Sequence, residues 1–130
     1  MIDFHLDPRS GLSPYLQLVQ QVQQALRVGM LSVGDQLPTV KEVVAKLAIN
    51  PNTVLKAYRE LEHLGLVSPR PGVGTFVTRT LADDESLAAH EPLRQELLAW
   101  LAKAQRAGLD PDSIEALFMT TFRKAIEVTR

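Results

Sequence analysis

The sequence predicts a mostly α fold with one small β hairpin, and three observations predict it. Aromatic residues supply only 5% of the 130 positions while hydrophobic residues supply 45%, so the core rests on Leu, Val, Ile and Ala, which suits packed helices better than a β-sandwich. Apolar residues recur at helical spacing in several segments, each opened by a capping residue or a proline. The one stretch that breaks this period places β-prone residues on both sides of a Pro/Gly loop. A chain of this length is one domain, or one small domain with an appendage.

The first helix begins after Ser13-Pro14, a cap followed by a proline at the first helical position, and extends over about 14–30. Leu18, Val19, Val22, Leu26 and Met30 form its apolar stripe, and glutamines at 17, 20, 21, 23 and 24 cover the other faces. Gly34-Asp35 breaks the chain, and Leu37-Pro38 leads to Thr39-Val40-Lys41-Glu42. Thr39 and Glu42 make a capping box, hydroxyl and carboxylate each taking an orphan amide, so a second helix covers about 39–47. Asn50 caps and Pro51 opens a third helix with the buried stripe Val54, Ala57, Tyr58 and Leu61, and Gly65 closes it. Two short helices joined by a tight turn are a helix-turn-helix.

Leu66-Val67-Ser68 and Thr75-Phe76-Val77-Thr78 flank the loop Pro69 to Gly74, which reads as a hairpin with a basic tip at Arg70. A hairpin directly after a helix-turn-helix is a wing. Residues 79–91 are polar and acidic enough for a connector or a frayed helix start. From Pro92 to Ala107 the stripe Leu93, Leu97, Leu101, Ala104 marks a fourth helix ended by Gly108. Asp110-Pro111 opens a last helix whose wide apolar face carries Ile114, Leu117, Phe118, Thr121, Phe122, Ala125 and Ile126. The architecture expected is thus a winged helix-turn-helix over residues 1–78 and a two-helix region over 79–130. Two helices cannot cover faces that wide; they need the first domain or another subunit, and a second copy of the chain is the commonest solution, so Leu97, Leu101, Leu117, Phe118, Phe122 and Ile126 are expected at a homodimer interface.

Composition narrows the function. No cysteine is present, which removes disulfide staples, thiolate metal sites and cysteine nucleophiles together. No basic stretch followed by an apolar core opens the chain, and no window approaches an uninterrupted membrane span, so a cytoplasmic location off the membrane is expected. Net charge is −1, with +2 on residues 1–80 and −3 on residues 81–130, which permits a local nucleic-acid surface on the first part. No cluster of polar groups suits catalysis. His5, His63 and His90 lack the partners of a metal or triad site and read as solvated surface residues. Gly72-Val73-Gly74 is a turn rather than a dinucleotide loop, and Asp83-Asp84-Glu85 complements a helix dipole or remains solvated rather than holding a metal. The expectation is a protein that is no enzyme and holds no cofactor or metal.

The third helix is the most informative element. Opposite the stripe centred on Val54 and Leu61 lie Asn52, Lys56, Arg59 and His63, every one able to donate a hydrogen bond. Asn52 and Thr53 occupy the first turn, where free amides and the dipole attract phosphate and where a recognition helix meets the major groove.

Four motifs in order, Leu37-Pro38-Thr39-Val40-Lys41-Glu42-Val43, Asn50-Pro51-Asn52-Thr53-Val54, Tyr58 to Val67, and Gly72-Val73-Gly74-Thr75-Phe76-Val77, resemble the winged-helix domain of the bacterial GntR family of transcription regulators. The resemblance covers residues 12–78. The Asn-Pro-Asn-Thr-Val variant and the brief C-terminal part resemble the short YtrA-like branch. This implies a regulator, typically a repressor, that dimerises through its C-terminal helices and binds a palindromic double-stranded DNA operator. Position by position it implicates Lys41 in phosphate contact, the turn Asn50, Pro51, Asn52, Thr53 with Lys56 in groove contact, and the wing Arg70, Gly72, Val73, Gly74, Thr75 in minor-groove or backbone contact; Thr39 and Arg59 are expected among the DNA-binding residues beside them. Larger relatives carry arginines where this chain has Pro51 and Leu55, so their base contacts do not transfer to those positions. Their long effector domains do not fit into residues 79–130, and no residue pattern identifies a small-molecule effector. The alternative is a winged-helix protein-interaction module that meets an acidic partner.

Overall fold

The structure, a computed structural model, describes residues 2–129, with side chains to residue 127. The elements in chain order are α1 (Pro14–Arg27), α2 (Val40–Leu47), α3 (Pro51–His63), β1 (Val67–Arg70), β2 (Gly74–Val77), α4 (Asp84–Arg106) and α5 (Pro111–Thr129). They fall into two compact units, Met1–Leu87 and Ala88–Arg130. β1 and β2 pair antiparallel with Val67 opposite Val77 and Arg70 opposite Gly74. The first unit is therefore a helix-turn-helix with a wing.

Its core forms where the apolar stripes of α1 and α3 meet: Leu18, Val22 and Leu26 pack with Val54, Ala57 and Leu61. Leu66, Val67 and Val77 close it from the wing side, Leu37 from the approach to α2, and Val43 from α2 itself. Phe4, only 3% exposed, enters the same core from the N-terminal segment. Two glutamines hold that segment down. Gln17 accepts from the Asp7 amide at 2.8 Å and donates to the carbonyls of Asp7 and Leu12. One turn on, Gln21 accepts from the His5 amide and donates to the His5 carbonyl. The glutamines lie off the apolar stripe as expected, but Gln17 is buried, because an extended strap whose backbone groups it pairs with lies across it.

Two boundaries differ from the sequence expectation. α1 ends at Arg27 rather than 30, because Gly29 takes a left-handed conformation (φ +76°) and redirects the chain. Leu31 is thereby buried, whereas Met30, expected on the stripe, is 68% exposed. α4 begins at Asp84 and contains Pro92 in its interior instead of starting there. Asp83 supplies the start signal, its carboxylate accepting from the Glu85 amide at 3.1 Å and its carbonyl from Leu87 at 2.9 Å. His90, expected to be solvated, is half-buried, with Nδ1 enclosed.

The α2–α3 turn passes through Ala48, the one described non-glycine residue with positive φ (φ 53°, ψ 44°), which is the C-cap of α2. A left-handed conformation crowds Cβ against the following carbonyl at about 1–2 kcal/mol. Ala48→Gly removes that strain but loosens the unfolded chain by about 0.4–1 kcal/mol. A net gain of about 0.5–1 kcal/mol is expected from urea denaturation; a loss would mean that the methyl group packs productively.

Candidate nucleic-acid interface

The orientation of α3 follows from its caps and stripe. The Asn50 side-chain oxygen accepts from the Asn52 amide at 2.8 Å and the Asn50 carbonyl from the Thr53 amide at 2.9 Å. Val54, Ala57, Tyr58 and Leu61 are buried. Asn50, Pro51, Asn52, Lys56, Arg59 and His63 are exposed and Thr53 is half-buried, so the donor-bearing face is turned outward. Lys56 Nζ lies 4.0 Å from the centroid of the Tyr15 ring on α1, a cation–π contact that keeps the ammonium beside the first turns of α3. Tyr15 was not singled out from sequence, because the pairing joins residues far apart in the chain.

α2 starts at the Thr39 cap. The Thr39 hydroxyl accepts from the Glu42 amide at 3.1 Å, and the Glu42 carboxylate accepts from that hydroxyl rather than from the Thr39 amide expected of a capping box. Lys41 is exposed in the first turn. In the wing, the Arg70 guanidinium lies 4.3 Å above the Phe76 ring centroid. Gly72 (φ +76°) and Gly74 (φ +148°) make the turn, which only glycine enters without strain. Val73 stands 61% exposed at the tip, while Thr75 is half-buried.

Three hydrogen bonds tie α3 and the turn that follows it to their neighbours. The Tyr58 hydroxyl donates to the Pro38 carbonyl at 2.5 Å, just before the α2 cap. Burial, and secondarily the Glu42 carboxylate, pushes the hydroxyl pKa far above its ordinary value. The hydroxyl is a buried tie between α3 and the approach to α2. Past the wing, Arg79 Nη2 donates to the Leu64 carbonyl at 3.1 Å and the Thr78 hydroxyl to the Gly65 carbonyl at 3.2 Å. A cation thus meets the Leu64 carbonyl at the C-terminal end of α3, where the dipole favours it.

In the second unit, Asp110 caps α5 by accepting from the Ser113 amide at 2.7 Å, which holds its carboxyl below the usual range. Leu97, Leu117, Phe118, Phe122 and Ile126 are exposed and Leu101 is half-buried. Phe118 and Phe122 stack at 6.0 Å between centroids. Leu97, Trp100, Leu117, Phe118, Thr121 and Phe122 line a groove of about 350 Å³. Among the described residues no three His, Asp or Glu side chains gather as metal ligands, and no helix is long and apolar enough to cross a membrane.

The family model for bacterial regulatory proteins of the gntR family matches residues 14–77. Over 97 residues the chain is 36% identical to the HTH-type transcriptional repressor YtrA of Bacillus subtilis (strain 168), covering 72% of this chain and 75% of that protein. Among solved structures it is similar to YtrA from Sulfolobus acidocaldarius, a GntR-family transcription factor, with a TM-score of 0.53 and 25% identity over 93% of this chain and 97% of that one. It is also similar to AraR(DBD) in complex with operator ORX1, with a TM-score of 0.51 and 26% identity over 58% of this chain and 93% of that one.

Proposed function

The chain belongs to the gntR family of bacterial regulatory proteins and is a sequence-specific DNA-binding transcriptional regulator; from that premise we propose that it works as a homodimeric repressor with no enzymatic activity. Residues 1–78 read one half of a palindromic operator, and residues 79–130 join two copies. The observation that carries this reading is that three elements meet on one short segment. The Tyr58 hydroxyl fixes α3 to Pro38, Thr39 starts α2 there, and the Gln36 side chain holds the wing-tip carbonyl of Val73. A helix for the groove, a helix start for phosphate and a wing for the flanking backbone are therefore set by one piece of chain.

In this reading Asn52 and Lys56 meet base edges, with Thr53 and Arg59 beside them. Thr39 and Lys41 hold phosphate at the start of α2, and the wing from Arg70 to Thr75 follows the neighbouring backbone. The name of the Bacillus subtilis relative supports repression, and the AraR complex supports operator DNA as partner. An acidic protein partner would accept the same cations, and retention on random DNA at low salt separates the two.

The test divides positioning from readout. Lys41→Ala and Arg70→Ala are expected to weaken binding to random duplex and to a duplex selected from a random pool alike, each reducing the salt slope by about one. Asn52→Ala and Lys56→Ala are expected to cost about 1–3 kcal/mol, mainly on the selected duplex. Equal losses on both duplexes for Asn52→Ala would remove it from base readout.

A further inference from the structure

Before α2 begins, residues 34–37 pair with the outer edge of β2. The Gly34 amide donates to the Val77 carbonyl at 2.9 Å, Val77 to Asp35 at 2.8 Å, and Leu37 to Thr75 at 2.9 Å, with Gln36 opposite Phe76. One rung further along this antiparallel ladder, the carbonyl of Val73 calls for the amide of Thr39. Thr39 has already turned to cap α2. A side chain fills the rung instead: Gln36 Nε2 donates to the Val73 carbonyl at 3.2 Å. Gly74 makes room for it, since a Cβ on Gly74 would collide with the Gln36 amide, and its φ of +148° is one that other residues rarely adopt.

We propose that Gln36 is a positioning residue for DNA binding, its amide holding the Val73–Gly74 tip at a set angle to the Thr39 cap and so to α2 and α3. Because Gly74 pairs with Arg70 across the hairpin, the tip's setting is also that of the Arg70 guanidinium. The inference rests on the DNA reading above. Gln36 is half-buried and uncharged, so its role is to aim the wing rather than to supply charge.

The experiment uses the full chain, a duplex selected from a random pool, and amide exchange. Gln36→Leu is expected to weaken the selected duplex about fivefold and to accelerate exchange over residues 70–76, leaving α3 protected. Gln36→Lys, whose ammonium reaches the same carbonyl, is expected to restore most of the affinity. Combined with Arg70→Ala, Gln36→Leu is expected to add less than about twofold, because both act through the wing. Unchanged exchange at the wing, exchange accelerated equally in α3, or losses that multiply in full in the double variant would overturn the inference. Failure of the wild-type chain to retain either selected or random duplex would overturn the DNA reading and any role of Gln36 in binding; unchanged wing exchange in Gln36→Leu would overturn the Gln36 inference alone.

Discussion

Tyr58→Ala is expected to cost about 3–5 kcal/mol of folding stability, the range for removing a buried aromatic ring. The ring is 7% exposed within the α1–α3 core, and the substitution also strips the Pro38 carbonyl of its donor. Tyr58→Phe isolates the second effect. It keeps the packing but leaves that carbonyl without the hydroxyl, so a loss of about 1 kcal/mol of stability is expected. Because the hydroxyl's pKa is raised above its unfolded value, its contribution is whole below about pH 10 and is lost as pH rises beyond that. The difference between wild type and Tyr58→Phe should therefore shrink in strongly alkaline buffer. Guanidinium denaturation measures all three. If Tyr58→Ala kept its stability yet lost operator affinity, the ring would face DNA and the helical phase of α3 would be wrong.

The elements legible in the sequence are those whose determinants are local. The Thr39 and Asn50 caps, Pro51, and the Val54–Leu61 stripe lie within a few residues of the structure they specify, and α2 and α3 begin where those residues place them. What escaped depends on contacts between distant positions. Nothing near Gln17 or Gln21 announces that they accept and donate across an N-terminal strap, and nothing near Gln36 announces the missing rung at Val73. Proline misled at α4: Pro92 resembles a helix start, but Asp83 with the acidic first turn of Asp84 and Glu85 nucleates earlier, and the helix tolerates an interior residue without an amide. Among the candidate site residues, exposure of Asn52, Lys56 and Arg59 followed from the period alone. The rings beneath Lys56 and Arg70 did not, because Tyr15 and Phe76 approach them only after folding.

Replacing both Phe118 and Phe122 by aspartate is expected to turn the proposed dimer into a monomer and to weaken binding to a full palindrome on the order of 10²-fold or more. These rings stack on one face of α5, 42% and 50% exposed, and line one groove with Leu97 and Leu117, a clustered apolar face of the kind that marks an interaction site. Two carboxylates there would have to be desolvated on association, which costs far more than the lost apolar contact. Point variants are preferable to truncation at residue 78, since Arg79 caps α3 and Leu81 packs on the first core. With one winged unit per particle, the second half-site no longer binds at high effective concentration, and avidity of about 10²–10⁴ is lost without any change in base contacts. Affinity for a single half-site should be unaltered, and the salt slope on the palindrome should fall by about half. Sedimentation at micromolar concentration and titration on full and half sites decide it: a monomeric wild-type chain, or a double variant that grips the palindrome as tightly as the wild type, would remove residues 79–130 from the binding mechanism.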